Sequence, residues 1–381
     1  MSTRLDQRLP SILRVLLAAA GLIAGGQCAA QYAWHTPPGF PAPRVPADNP
    51  MSQARVTLGC RLFFDPRLSI TGHYSCASCH RPERAFTDGR TLAVGATGDV
   101  VRRNAMSLTN VAYNTAFTWA SDRLITLEDQ MAQPLFSTHP VEMGLTQGAD
   151  ALPPSLTRND EYTSAFALAF PGEREPATMR NAIKAIAAFE RTLISGRSNF
   201  DRYVFDDDRT ALDEKARRGM ALFFSERVGC VACHSGFNFA GPVAHERNTE
   251  TQSAFANTAL YNVDGKGAYP PADTGLAEVT RRAQDMGKFR VPTLRNVELT
   301  APYMHDGSIV TLDEVVDHYA RGGRQSPNGG GSNPYKDRAV RPIALSAEEK
   351  RDLVAFLGSL TDREFVSVER YACGRRANAA Q

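Results

Sequence analysis

Two tryptophans, seven cysteines and eight histidines are spread over 381 residues, and neither charge sign dominates, with 43 Lys plus Arg against 41 Asp plus Glu. That balance leaves no basic field for a nucleic-acid backbone and no acidic tail. Seven cysteines are too few for a chain held together by a disulfide framework. No sustained apolar–polar alternation marks a sheet. Long apolar runs are lacking too: Val15 to Gly26 gives 12 residues, short of the roughly 20 that span a bilayer. What remains is a globular chain, 43% hydrophobic and long enough for two ordinary domains.

The first 30 residues read as a processing segment. Arg4, Arg8 and Arg14 precede or begin the apolar run, and Cys28-Ala29-Ala30 closes it with small residues. This is the pattern of a secretory signal peptide cut near Ala30. Lipidation of Cys28 is the rival reading, and Gln27 is a poor residue to precede it. The expected location is the periplasm, with no membrane span.

The cysteines present are patterned. Cys76-Ala77-Ser78-Cys79-His80 and Cys230-Val231-Ala232-Cys233-His234 are both CxxCH. In that spacing two thiols add to the vinyl groups of a haem and the adjacent His ligates its iron. Chance would give ~0.003 such motifs in a chain of this composition. A zinc site or a disulfide hairpin would not require a His after each pair. Two covalent haem c groups are therefore expected.

The landmarks recur. Gly59-Cys60-Arg61-Leu62-Phe63-Phe64 precedes the first motif and Gly219-Met220-Ala221-Leu222-Phe223-Phe224 the second. Ala188-Phe189-Glu190-Arg191-Thr192-Leu193 is matched by Ala355-Phe356-Leu357-Gly358-Ser359-Leu360, and offsets of 154 to 167 residues relate all three pairs. Helical spacing runs through Ile183, Ile186, Ala187 and Glu190 to Ile194, and through Leu353, Phe356, Leu357 and Leu360. The fold class is thus all-α, two cytochrome c-like haem domains related by internal duplication. Residues 31–200 form the N-terminal domain and 201–381 the C-terminal one. Gly196, Ser198 and Asp206-Asp207-Asp208 suggest an irregular link near 196–210.

With these motifs the chain resembles the bacterial di-haem cytochrome c peroxidase and MauG superfamily. The resemblance extends through Leu62 to Ser69, Phe86-Thr87-Asp88-Gly89, Leu127-Glu128-Asp129-Gln130, Pro292 to Val297 and Ala301 to Gly307. It implies a peroxide-reacting N-terminal haem, bound by Cys76, Cys79 and His80, and an electron-transfer haem on Cys230, Cys233 and His234. It implies a distal Gln130, a distal wall at Pro134, an acid/base at Glu142 and an inter-haem relay at Trp119. It also implies Ca²⁺ held by Asn104 and the carbonyls of Thr300 and Pro302, which as bare sequence would carry no meaning. A C-terminal tail returning to the first domain would let Cys60 and Cys373 pair.

The branch turns on the second haem's sixth ligand. Thr311 and Glu314 form a capping box, and the helix they start has its apolar stripe on Leu312, Val315, Val316 and Tyr319. His318 lies about 100° away, which predicts Tyr319 inward and His318 outward. Peroxidases of the family carry Met at that ligand position; the MauG branch carries Tyr followed by Gly-Gly, here Gly322-Gly323. A hard phenolate stabilises oxidised iron, whereas a thioether favours reduced iron. Ala96 stands where peroxidases place a blocking His, so the first haem is expected open to H2O2.

The segment from Trp34 to Ser52 resembles the MbnH type within that branch, enzymes encoded with copper-binding partners that convert a partner Trp to kynurenine. Trp34 itself reads as packing. Val228 stands where the tryptophan tryptophylquinone maturase usually has an aromatic residue. The expected activity is use of H2O2 to form a high-valent di-haem state that oxidises a residue, a Trp, on an exported copper-binding protein. The alternatives are a cytochrome c peroxidase fed by a small c-type cytochrome or cupredoxin, and a non-catalytic electron carrier or haem sensor, against which a Gln130/Glu142 pair beside an open iron argues.

Overall fold

The computed structural model describes residues 32–146, 148, 150–248, 254–326 and 332–373. The signal-peptide reading of residues 1–30, with Cys28 and the cleavage point, lies outside these.

Two helix pairs organise the chain. Helix Gln53–Phe63 packs on Met179–Glu190, and Glu214–Phe223 packs on Ala347–Gly358. All four begin on a side-chain cap: Ser52, Thr178, Asp213 and Ser346 each accept a hydrogen bond from the backbone N–H three residues on, a device worth about 1 kcal/mol per helix. A Cβ added at Gly59 would lie 1.8 Å from the Ala185 carbonyl oxygen, and one added at Gly219 would lie 1.8 Å from that of Asp352. Glycine at these two positions lets helix backbones touch. Beside each contact two rings meet, Phe63 edge to face with Phe189 at 5.2 Å and Phe223 tilted against Phe356 at 5.1 Å. Burying each such ring stabilises the fold by about 1.5–3 kcal/mol.

The structure is mainly helix and irregular chain. One antiparallel pair departs from the all-α expectation: Phe255–Ala256 runs against Phe289–Arg290. Two residues a strand are too few to leave an alternating signal. A second departure concerns the link near 196–210, which contains the helix Asn199–Phe205. Ser198, read as a breaker, is its N-cap in a capping box with Asp201. That helix is anchored by Phe200 on Phe239 at 5.1 Å and by a buried two-pronged pair from Asp201 to Arg295, both contacts at 2.9 Å. Conversely, helical geometry stops at Glu190, and Thr192 and Leu193 turn back onto Phe189 and Glu190.

Cys60 and Cys373 are disulfide-bonded with Cα atoms 5.5 Å apart. The bond ties the last described residue to the first helix, while Tyr371 packs its ring on Phe86 at 5.0 Å. Among the described residues no helix is long and apolar enough to cross a membrane.

Candidate functional site

Each CxxCH motif occupies one tight turn: Cys76–Cys79 is a single helical turn and Cys230–Ala232 a 3-10 turn. The histidine that follows faces a phenylalanine carbonyl through Nδ1, His80 with Phe86 at 2.8 Å and His234 with Phe239 at 3.0 Å. A carbonyl can only accept, so Nδ1 carries the proton and Nε2 keeps its lone pair for a metal. Burial holds both imidazoles below their usual range, which keeps them neutral. Phe86 and Phe239 present these carbonyls from left-handed backbone, φ 62° and 49°. Sequence reasoning missed this pair of supports, since phenylalanine carries no signal for that conformation.

None of the four motif cysteines is in a disulfide. Burial pushes Cys79 and Cys230 up to about 11 and raises Cys76 and Cys233 as well. Among the described residues no three His, Cys, Asp or Glu side chains gather as a metal site. Neutral thiols beside a neutral imidazole suit thioether attachment.

Cys230, Cys233 and His234 open on a large apolar cavity. Helix Leu312–Ala320, started by the Thr311/Glu314 capping box, lines it with Leu312, Val315, Val316 and Tyr319. Tyr319 therefore shares the cavity with His234. Burial next to the Cys233 and Cys230 thiols pushes its phenol up, so the phenolate requires a cation opposite it. His318 does not point outward as its angle suggested. It is fully buried, with Nε2 2.9 Å from the Thr258 carbonyl oxygen and Nδ1 without a partner. The helix is covered on two sides, so a residue off the cavity stripe meets protein instead of water.

On the N-terminal side, Gln130 and Pro134 sit one turn apart on helix Leu127–Phe136. Thr126 caps this helix, and Glu128 pairs with the buried Arg191 at 2.6 Å. Met143 N–H donates to the Pro134 carbonyl at 2.9 Å, which brings the segment carrying Glu142 against that helix. The Glu142 carbonyl accepts from Ala96 N–H at 2.6 Å, so the loop bearing Ala96 lies directly over it. Glu142 is close enough to Cys79 to raise that thiol, and burial lifts its own carboxyl above the usual range.

Trp119 lines the C-terminal cavity and also a smaller one shared with Asn104, Thr300 and Pro302. Its Nε1 donates to the Asn104 carbonyl at 2.8 Å. The Asn104 amide nitrogen is committed to the Arg90 carbonyl at 2.7 Å, leaving Oδ1 as the amide's ligating atom. The three oxygen-bearing residues named from the resemblance thus meet at one cavity. Trp34 packs beside Phe40, Tyr113 and Ile194, as expected.

Residues 53–209 match the family model described as di-haem cytochrome c peroxidase. The cytochrome-c peroxidase IdrP1 of Pseudomonas sp. (strain SCT) is 36% identical, over 92% of this chain and 93% of its own. The methylamine utilization protein MauG of Methylorubrum extorquens is also 36% identical, over 83% of this chain and 80% of its own. A crystal structure of a MauG-like protein associated with microbial copper homeostasis superposes with a TM-score of 0.86 at 44% identity, covering 91% of this chain and all of that one.

Proposed function

The chain belongs to the di-haem cytochrome c peroxidase family, a haem-dependent peroxide oxidoreductase, and from that membership we propose that it is a periplasmic MauG-branch enzyme that oxidises a residue of a partner protein. The observation that carries this reading is Tyr319 on the cavity of His234, where an electron-accepting peroxidase needs a softer ligand.

Membership of a di-haem family implies two haem c groups, and the residues present fit them. Cys76 and Cys79 hold one beside His80, and Cys230 and Cys233 hold the other beside His234 and Tyr319. When bound, the two haems supply the redox chemistry by which each H2O2 takes two electrons and two protons to give water. Glu142, as carboxylate, accepts the first peroxide proton and returns it to the departing oxygen, while Gln130 orients peroxide and Pro134 walls the pocket. Trp119 bridges the two sites, and Asn104 with the Thr300 and Pro302 carbonyls offers the neutral oxygens that suit Ca²⁺. Tyr319, anionic opposite the iron, would stabilise the oxidised state of the second haem. The repeated glycine contact and ring pair support an origin by duplication, with domains 31–200 and 201–381.

The substrate residue in this reading is a Trp on an exported copper-binding protein: two H2O2 remove four electrons and open the indole ring to N-formylkynurenine with release of two waters, and hydrolysis of the formyl group gives kynurenine and formate. Its test is incubation of the holoprotein and peroxide with such a protein encoded by a neighbouring gene, followed by peptide mass spectrometry. Kynurenine in place of one Trp is the expected result; an unmodified partner overturns the assignment.

A further inference from the structure

Arg290 is a buried cation with no anionic partner among the described residues. It is 8% exposed, and its Nε has no hydrogen-bond partner. One guanidinium nitrogen lies 3.4 Å from the Val291 carbonyl and the other 3.8 Å from the Met106 sulfur. Other buried arginines are treated differently: Arg191 faces Glu128 at 2.6 Å and Arg295 faces Asp201 at 2.9 Å. An uncompensated buried charge is strongly destabilising, yet the short strand Phe289–Arg290 holds the Arg290 backbone, its N–H donating to the Trp119 carbonyl at 2.7 Å.

Arg290 lines both the cavity of Cys230, Cys233, His234 and Tyr319 and the smaller cavity of Asn104, Thr300 and Pro302. Among the described residues no Asp or Glu lines either one. The guanidinium fork is thus open to a carboxylate from outside them, which it matches in two-pronged geometry. We propose that Arg290 is a positioning residue that grips a carboxylate of the haem held by Cys230 and Cys233, beside Trp119, and keeps it ionised. This rests on the assignment of that cavity to the second haem. A divalent ion among the neutral oxygens of the smaller cavity would need the same negative charge, so one carboxylate would serve both cations.

The consequence is electrochemical. A carboxylate clamped by a guanidinium stays ionised through the neutral range, so that carboxylate should add no pH dependence to the second haem's potential there. The chain's own titratable groups on the two cavities are His305, Tyr303, His234, Tyr319 and the thiols of Cys230 and Cys233, the thiols being consumed in attachment. Arg290→Gln removes the positive charge and lets the carboxyl protonate. The expected result is a lower second-haem potential that now falls as pH rises through the carboxyl's pKa.

Spectroelectrochemical titration of the holoprotein across the neutral range tests this, with covalent haem counted independently as the pyridine haemochrome. Arg290→Gln with both haems attached and an unchanged potential at neutral pH overturns the proposal. So does a pH dependence of the second-haem potential that is the same in the wild type and in Arg290→Gln. A wild-type potential that shifts on adding phosphate or chloride would assign Arg290 to a small free anion and also overturn it. Absence of the second haem from the wild-type protein would instead strike at the cavity assignment itself.

Discussion

Tyr319→His leaves both haems covalently attached and lowers oxidation of the partner protein by at least about 100-fold, beyond the roughly 10–100-fold that loss of a supporting partner of a metal ligand costs. The reason is charge. Tyr319 faces the cavity of His234 from the apolar stripe of helix Leu312–Ala320, and burial raises its phenol, so only a cation in that cavity makes it anionic. Once anionic it favours the oxidised metal, which a neutral imidazole does far less. His318→Ala is the control. It removes a buried hydrogen bond to Thr258 and should lower stability while leaving the attached haems and partner oxidation in place. The measurements are haemochrome content and the rate of partner modification; full activity in Tyr319→His with none in His318→Ala would exchange the roles of the two residues.

Glu142→Gln should slow the reaction with peroxide by about 10²–10⁴-fold, the usual contribution of a positioned acid/base. A pH profile separates this from a packing effect. Burial raises the Glu142 carboxyl, so the proton-accepting carboxylate is lost as pH falls through a pKa above the ordinary value of about 4.3. The wild-type rate should therefore climb with pH through that raised inflection, and the inflection should vanish in Glu142→Gln, whose amide cannot titrate. A slow variant that kept the inflection would move the acid/base role elsewhere.

Much of this site is written in local patterns. CxxCH is a covalent instruction, and Thr311 with Glu314 fixes where the helix bearing Tyr319 begins, so its cavity-facing stripe could be read from spacing alone. Glycines 59 and 219 stood out only as parts of a repeat; the reason, backbone against backbone, required both helices. What spacing could not reveal is what covers the rest of a helix. His318 lay off the stripe and was expected in water, but the chain near Thr258 closes over it. Ser198 illustrates the same limit, since a residue that breaks one helix also caps another. Arg290 left no trace at all, because an arginine becomes informative only when burial and the absence of an anion are both visible. The carbonyl supports at Phe86 and Phe239 are backbone features that no side-chain pattern announces.

The central claim is that oxidising equivalents are stored at the protein and passed to a partner, instead of being quenched at once by a small electron carrier. Stopped-flow mixing of the diferric protein with one equivalent of H2O2, with and without a reduced small c-type cytochrome, tests it most directly. The account predicts a long-lived oxidised spectrum from peroxide alone and slow consumption of the cytochrome. Rapid cytochrome oxidation, with no persistent spectrum in its absence, would contradict the account and make the protein an electron-accepting peroxidase.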